Sequence, residues 1–379
     1  MTTTHVCLLN DSVTSVLTPV IDPSIPSDAL IIAGTSDYES HAQQLIRLAK
    51  TRGFKASYFC LPDTAKTAQI KDAFLELFSR VCESGEGEVW LNASAGDRYH
   101  VLAAFEVARA YDCPVFVVEP AQDELYWLHP EDRAPTPIDD RLKLHEYFTL
   151  FDATLTGQEN TQGVSKPVRE LGESWAKDIE ECAHALRALN YLASEAGESL
   201  RVPMEQQHRD DTTLTSMLWE LEALDYVRID NNTLIFSNEK ARFFCNGGWL
   251  EEHTYAVLNG VTTQVKSIQD AAHGAQITRK INGKTLSNEL DVIALANNKL
   301  HIIECKTQYM EALSSTNTLY KLDSLNELLG GLEGRAALVT YFDVTPSARL
   351  RATELGIRIF GSQEIPQLKH HLANWLEQA

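Results

Sequence analysis

The chain of 379 residues carries 33 Lys and Arg against 53 Asp and Glu, a formal charge of −20, with 44% hydrophobic and 23% charged residues. That length exceeds one ordinary core and implies two or three domains, and the balanced composition excludes disordered, collagen-like and fibrous chains. The acidity excludes a protein that coats nucleic acid or anionic membrane with its whole surface, because both would be repelled. No stretch approaches the ~20 apolar residues of a membrane helix, and the start MTTTHVCLLNDS has neither a basic n-region nor a long apolar h-region. No membrane partner and a cytoplasmic location are therefore expected. Seven scattered cysteines without a C-x-x-C pair point to neither a disulfide framework nor a zinc cluster, and Cys305 alone lies beside suspected chemistry.

In chain order, short apolar runs at His5–Leu9, Ala29–Ala33, Ala56–Leu61, Glu88–Asn92 and Pro114–Val118 predict strands. Amphipathic stretches at His41–Thr51, Lys66–Ser84 and Tyr99–Tyr111 predict the helices between them. This β-α succession predicts a parallel sheet covered by helices over residues 1–150, with ligands beyond the carboxyl ends of the strands. The pattern weakens from about Pro120 to Gly172, where Pro residues break the periodicity. Residues 151–245 follow with helical stretches Ser174–Ala196 and Thr212–Leu224, then Tyr226–Asp230, Asn231-Asn232 and Thr233–Phe236. Helix followed by hairpin reads either as a winged-helix unit or as a plain connector. Residues 246–379 form a third region: helix Trp249–Leu258, strands around Asp291 and Glu304, helix Leu319–Gly330, strand Ala336–Tyr341 and helix Pro346–Leu355, an α/β arrangement with a mixed sheet. Splitting the charge assigns −18 to residues 1–245 and only −2 to residues 246–379.

The chemistry concentrates in Asn288-Glu289-Leu290-Asp291 and Lys299 to Lys306. If Asn297-Asn298 is a two-residue hairpin turn, a role Asn fills because it tolerates positive φ, Asp291 falls opposite Glu304 and Lys306 shares their face. Like charges placed directly opposite destabilise a sheet unless a hard cation bound by carboxylate oxygens neutralises them. Spacing alone leaves open both a metal site and a surface hairpin with an ordinary Glu304–Lys306 ion pair. Gln308 continues the strand on the same side. Arg279, Lys280 and Lys284 surround Asn282-Gly283, and Lys321 opens a helix; these cations are either solvated or a landing point for nucleic-acid phosphate. In the front region, Asn92-Ala93-Ser94-Ala95-Gly96-Asp97-Arg98 leads into a helix, a loop of small residues and a cation of the kind that holds anions at a helix start.

Asp291 and, thirteen positions on, Glu304-Cys305-Lys306 resemble the PD-(D/E)xK nuclease motif, with Leu290 where the motif has Pro. The resemblance implies catalytic Lys306, with Gln308 as the polar residue kept near the metal. It also implies Mn²⁺ or Mg²⁺ on Glu304, Asp291 and a helix carboxylate, Glu251, with Glu252 the alternative. The loop at Ser94, Gly96 and Arg98 resembles the Thr-Gly-Gly-Thr-Lys-like loop of CARF sensors, from which Ala95 and Asp97 depart. Asp11, Ser12, Thr35 and Ser36 match the other places where CARF domains contact ligand. Over nearly the whole chain the order of parts is similar to the CRISPR-associated CARF nucleases. That family resemblance implies a homodimer, a cyclic oligoadenylate activator (cyclic tetra-adenylate) and cleavage of DNA or RNA. Two other readings remain: a restriction- or repair-type nuclease without a second messenger, and a non-enzymatic nucleic-acid-binding regulator.

Overall fold

The computed structural model describes residues 2–10, 13–83, 87–120, 122–139, 141–156, 163–281, 283–307, 312–331, 333–342 and 344–377. Among them no helix is long and apolar enough to cross a membrane. The chain divides into two compact units: Met1–Leu155 with Thr278–Leu286 and Leu295–Asn298, and Thr156–Ile277 with Ser287–Ala294 and Lys299–Ala379.

In the first unit the elements run β1 (Thr2–Leu8), α1 (Thr14–Ile21), β2 (Ala29–Gly34), α2 (Glu39–Thr51), β3 (Lys55–Cys60), α3 (Thr67–Cys82), β4 (Gly87–Asn92), α4 (Arg98–Ala110) and β5 (Val115–Glu119). They continue with β6 (Glu124–His129), β7 (Thr136–Pro137), α5 (Leu144–Leu150) and β8 (Ala153–Thr156). The sheet order is β3-β2-β1-β4-β5-β6-β7. Its first five strands are parallel, and β6 and β7 append antiparallel. The order reverses between β1 and β4, which makes the loops after these strands the switch point where such sheets bind ligands. One face of the sheet packs Leu8, Leu91 and Val115 against Phe74 and Phe78 of α3 and Ala104 of α4.

Several of these elements lack the periodicity that sequence reading needs. Helix α1, TSVLTPVI, is buried on nearly every side and contains Pro19, so it shows no amphipathic stripe. In the stretch after Pro120 the elements are short, and the antiparallel β6–β7 edge interrupts the β-α alternation.

The second unit opens with α6 (Lys166–Lys177), α7 (Ile179–Ala196), β9 (Arg201–Pro203), α8 (Gln206–Asp210), α9 (Thr212–Ala223), β10 (Val227–Asp230), β11 (Thr233–Phe236) and α10 (Glu239–Phe243). Strands β10-β11-β9 form a small antiparallel sheet behind α9, a winged-helix-like arrangement. The single helix expected over Ser174–Ala196 is instead two, parted at Asp178. Then come α11 (Trp249–Val261), β12 (Ile268–Ile281), β13 (Lys284–Ala296), β14 (Lys299–Lys306), α12 (Ala312–Gly330), β15 (Arg335–Thr340), α13 (Pro346–Glu354), β16 (Arg358–Phe360) and α14 (Leu368–Glu377). The sheet order β16-β15-β14-β13-β12 is mixed, with β14, β15 and β16 parallel. Strand β12, IQDAAHGAQITRKI, carries few β-branched residues in its first half and escapes a propensity reading. Asn231-Asn232 and Asn297-Asn298 both adopt positive φ at the two central turn residues, the geometry that a two-residue hairpin requires.

Candidate functional site

Residues Phe244–Gly248 form a kink between α10 and α11, non-helical at Asn246 and Gly247, that delivers α11 to the end of β14. Gly247 makes this possible: its φ is +108°, and a Cβ there would lie 2.0 Å from Thr307 Oγ1. Thr254 of α11 receives the Cys305 Sγ–H at 3.6 Å, and Glu251 sits one turn earlier on the same face. The helix thereby brings Glu251 into the electrostatic field of Asp291, Glu289, Glu304 and Lys306. Glu252, by contrast, lies in the fields of Lys240 and Tyr226. The two candidate helix carboxylates therefore face different surroundings, and Glu251 is the one directed at the motif.

Asp291 Oδ2 accepts a hydrogen bond from the Cys305 backbone N–H at 2.7 Å, which fixes the carboxylate against the strand segment between Glu304 and Lys306. Lys306 Nζ lies 2.6 Å from Glu304 Oε1, and Lys321 Nζ lies 3.8 Å from the same oxygen. The Glu304 side chain is only 4% exposed, so this is a buried charge with two cationic partners rather than an ion pair on a solvated edge. Burial, then Asp291 and Glu289, with Glu304 adding, push the Glu251 carboxyl up to about 9. Burial and Glu304 push Asp291 up to about 6 against Lys306, the Cys305 N–H and Lys321. Burial acts against the Lys306 ammonium, but Glu304 and Asp291 outweigh it and hold its pKa above the ordinary value. Burial raises the Cys305 thiol far out of reach of ionisation, so Cys305 is a packing residue here and not a nucleophile.

The donor set suits a hard divalent cation in kind: three neighbouring carboxylates, of which Glu251 and Asp291 are pushed toward the protonated form by burial and by the carboxylates beside them. Among the described residues, however, no three His, Cys, Asp or Glu side chains are gathered closely enough to hold an ion as they stand. Lys306 occupies one oxygen of Glu304. The residues fit the metal by chemistry and charge.

Two supports of this cluster carry no motif. Asn190 of α7 donates to the Thr307 carbonyl at 3.0 Å, and Tyr341 Oη donates to the same carbonyl at 3.0 Å, so the chain just after Lys306 is clamped from two elements. Neither residue is legible from sequence, because each acts on backbone contributed from over 30 positions away. Glu289, which acts on Glu251, stands two residues before Asp291 on the same strand face and was findable by the period-two rule. Gln308 lies outside the described residues. Arg279, Lys280 and Lys284 belong to the first unit, and the carboxylates to the second.

At the switch point of the first unit, Asp11 and Ser12 lie outside the described residues. Ser94 Oγ accepts from the Val118 N–H at 2.8 Å and is hydrogen-bonded to Asn92 Oδ1, which also accepts from the Ser94 N–H at 3.0 Å. The hydroxyl thus has in-fold partners that shape the loop. Gly96 has φ +106°, and a Cβ there would meet Leu8 Cβ at 2.7 Å, so the loop crosses the end of β1 closely. Arg98 is exposed at the first residue of α4, with Asp97 exposed before it and 3.7 Å from His100 Nδ1. Thr35 is buried and Ser36 exposed after β2, and Thr35, Tyr38, Leu9, Gly96 and Asp97 line a small cleft beyond the strand ends. The structure therefore brings the loops after β2 and β4 together around that cleft.

A family model described as the Card1-like endonuclease domain matches residues 238–379. Among solved structures, protein VC1899 from Vibrio cholerae is 35% identical, with a TM-score of 0.92, covering 99% of this chain and 98% of its own. Can2 from Sulfobacillus thermosulfidooxidans, solved with cyclic tetra-adenylate, is 23% identical with a TM-score of 0.82, covering 99% of each chain. A type III CRISPR defence DNA nuclease activated by cyclic oligoadenylate is 13% identical with a TM-score of 0.59, over 91% of this chain and 47% of that one. No curated protein matches the chain significantly. With the parallel-sheet sensor fold in front and the carboxylate–lysine hairpin of a nuclease behind, the chain belongs to the CRISPR-associated CARF nucleases with a Card1-like endonuclease domain.

Proposed function

We propose that this nuclease cleaves phosphodiester bonds of DNA or RNA with Mn²⁺ or Mg²⁺ held by Glu251, Asp291 and Glu304, and that a cyclic oligoadenylate bound by a homodimer switches it on. The observation that carries the reading is the single buried field shared by Glu251, Asp291, Glu304 and Lys306. When bound, a hard divalent cation there supplies a polarised phosphoryl oxygen and a water of lowered pKa. The chain's own groups do the rest. Asp291 is pinned by the Cys305 N–H. Lys306, kept an ammonium by its carboxylate neighbours, orients the attacking water and offsets negative charge developing on phosphorus-bound oxygens. Lys321 adds a second, more exposed cation at Glu304 for the substrate phosphate. By its place in the motif, Gln308 is the further polar residue assigned to the metal's surroundings.

The activator reading draws on the switch-point cleft and on two proteins of the same fold whose descriptions carry cyclic oligoadenylates. Asp11, Ser12, Thr35, Ser36, Ser94, Gly96 and Arg98 surround the ligand, with Arg98 the charged contact. A cyclic tetra-adenylate is the expected ring. Isothermal titration with rings of different sizes tests this: the wild type binds the four-membered ring at one ring per two chains. Arg98→Ala weakens binding by about tenfold or more, the worth of a hydrogen bond to a charged group. Failure of every ring to bind the wild type contradicts the activator without touching the nuclease assignment.

A further inference from the structure

The first unit contains a groove of about 850 Å³ that neither the switch point nor the carboxylate cluster uses. It is walled by Arg47 and Gln44 of α2, His145 and Thr149 of α5, and Arg279 and Lys280 of β12. Its one acidic lining residue, Asp152, accepts from Gln44 Nε2. The cations here are unlike their neighbours: Arg52 is held by Glu146 at 2.6 Å and Arg141 by Asp139 at 2.6 Å. Among the described residues, Arg47, Arg279 and Lys280 have no ion-pair partner, and the buried Arg279 Nε has no hydrogen-bond partner. In a chain of charge −20, three unpaired cations converging on one groove form a local positive site that the overall field opposes. The rest of the lining is largely hydroxyl-bearing, with no Phe, Tyr or Trp and His145 as its one aromatic ring, so the groove offers chiefly donors for phosphate and little on which bases stack.

We propose that this groove binds the phosphodiester backbone of nucleic acid, independently of sequence, through Arg47, Arg279 and Lys280. The inference deepens the nuclease reading by giving the substrate a second point of attachment, and it is tested by binding rather than by cleavage. Full-length protein in a chelator is titrated with labelled oligo-dT and oligo-U over a range of salt concentrations, as wild type and as Arg47→Gln/Arg279→Gln/Lys280→Gln. Each phosphate contact on a single strand contributes about 0.7 to the slope of log K against log salt. The triple variant is expected to lose about 2 from that slope and to bind more weakly at low salt, with both polymers affected alike. Arg47→Gln/Lys280→Gln, which alters two exposed side chains, is the companion variant that tolerates the change without disturbing the half-buried Arg279 and loses about 1.4. A folded variant whose affinity and salt slope equal those of the wild type overturns the proposal, as does a variant altered only in its response to cyclic oligoadenylate. If the wild type binds with the expected slope and yet fails to cleave with Mn²⁺, the nuclease reading falls and the groove stands.

Discussion

Asp291 and Cys305 are joined across the β13–β14 hairpin by a hydrogen bond from the Cys305 backbone N–H to Asp291 Oδ2 at 2.7 Å. A side chain that accepts from main chain between Glu304 and Lys306 is both a structural clamp and a charge in the site, and the two roles separate by substitution.

Asp291→Asn keeps an acceptor for the Cys305 N–H and removes the charge. It is expected to melt near the wild-type temperature while nuclease activity falls by about 100-fold or more, the scale of losing a group that acts on transition-state charge. Asp291→Ala removes both and should cost stability as well, by about 1–3 kcal/mol for the unpaired buried N–H. Thermal melts beside a cleavage assay check this, and an active Asp291→Asn enzyme removes Asp291 from the site.

The chain end after Lys306 rests on packing far from the motif. Gly247→Ala meets Thr307 Oγ1 at 2.0 Å in a backbone with φ +108° and is expected to destabilise by about 1–3 kcal/mol and to reduce activity. Gly283→Ala is the control: φ is +75° with nothing within 4 Å of the added carbon, so it pays only backbone strain of about 1–2 kcal/mol and leaves kcat intact. Asn190→Ala, which removes the donor to the Thr307 carbonyl, should lower kcat more than it raises KM, because it acts on the placement of Lys306 and not on substrate binding. Equal kcat for Gly247→Ala and Gly283→Ala would show that the kink at Gly247 does not set the site.

His301 is fully buried in the second unit, its Nδ1 against the Lys299 carbonyl and its ring edge-to-face with Trp375. Burial is the main force that pulls its pKa from 6.5 down to about 3. The folded form therefore stays neutral where the unfolded chain takes up a proton, so its contribution is constant above 6.5 and stability is lost as pH falls through that value. Relative to His301→Leu, the wild type should lose about 2 kcal/mol between neutral pH and a pH of about 5. Urea unfolding of the two proteins at several pH values reads the difference directly and cancels the opposing contribution of Glu251. A pH-independent difference contradicts a neutral buried His301.

Much of the architecture was legible because it follows from local rules. Asn297-Asn298 adopt φ +50° and +55°, so the two-residue turn read from their identity sets the hairpin that carries Asp291 and Glu304. The β-α alternation of the front likewise yields the parallel strands β1 to β5. What escaped reading had non-local causes. Helix α1 is buried around its circumference, so no stripe marks it. The clamp of Asn190 and Tyr341 on Thr307 has no sequence signature, since a side chain bonded to distant backbone leaves no pattern at its own position. The sequence leaves Arg279 and Lys280 as either a solvated turn or a landing point for phosphate, and only folding places them with Arg47 in the first unit.

The most direct measurement is cleavage of plasmid DNA and single-stranded RNA by wild type, Lys306→Ala and Glu304→Ala, each with and without Mn²⁺ and with and without cyclic tetra-adenylate. Cutting by the wild type is expected to require the metal, to rise with the cyclic ligand and to be abolished in both variants. Metal-dependent cutting that persists unchanged in Lys306→Ala or Glu304→Ala would contradict the assignment of these residues to the site.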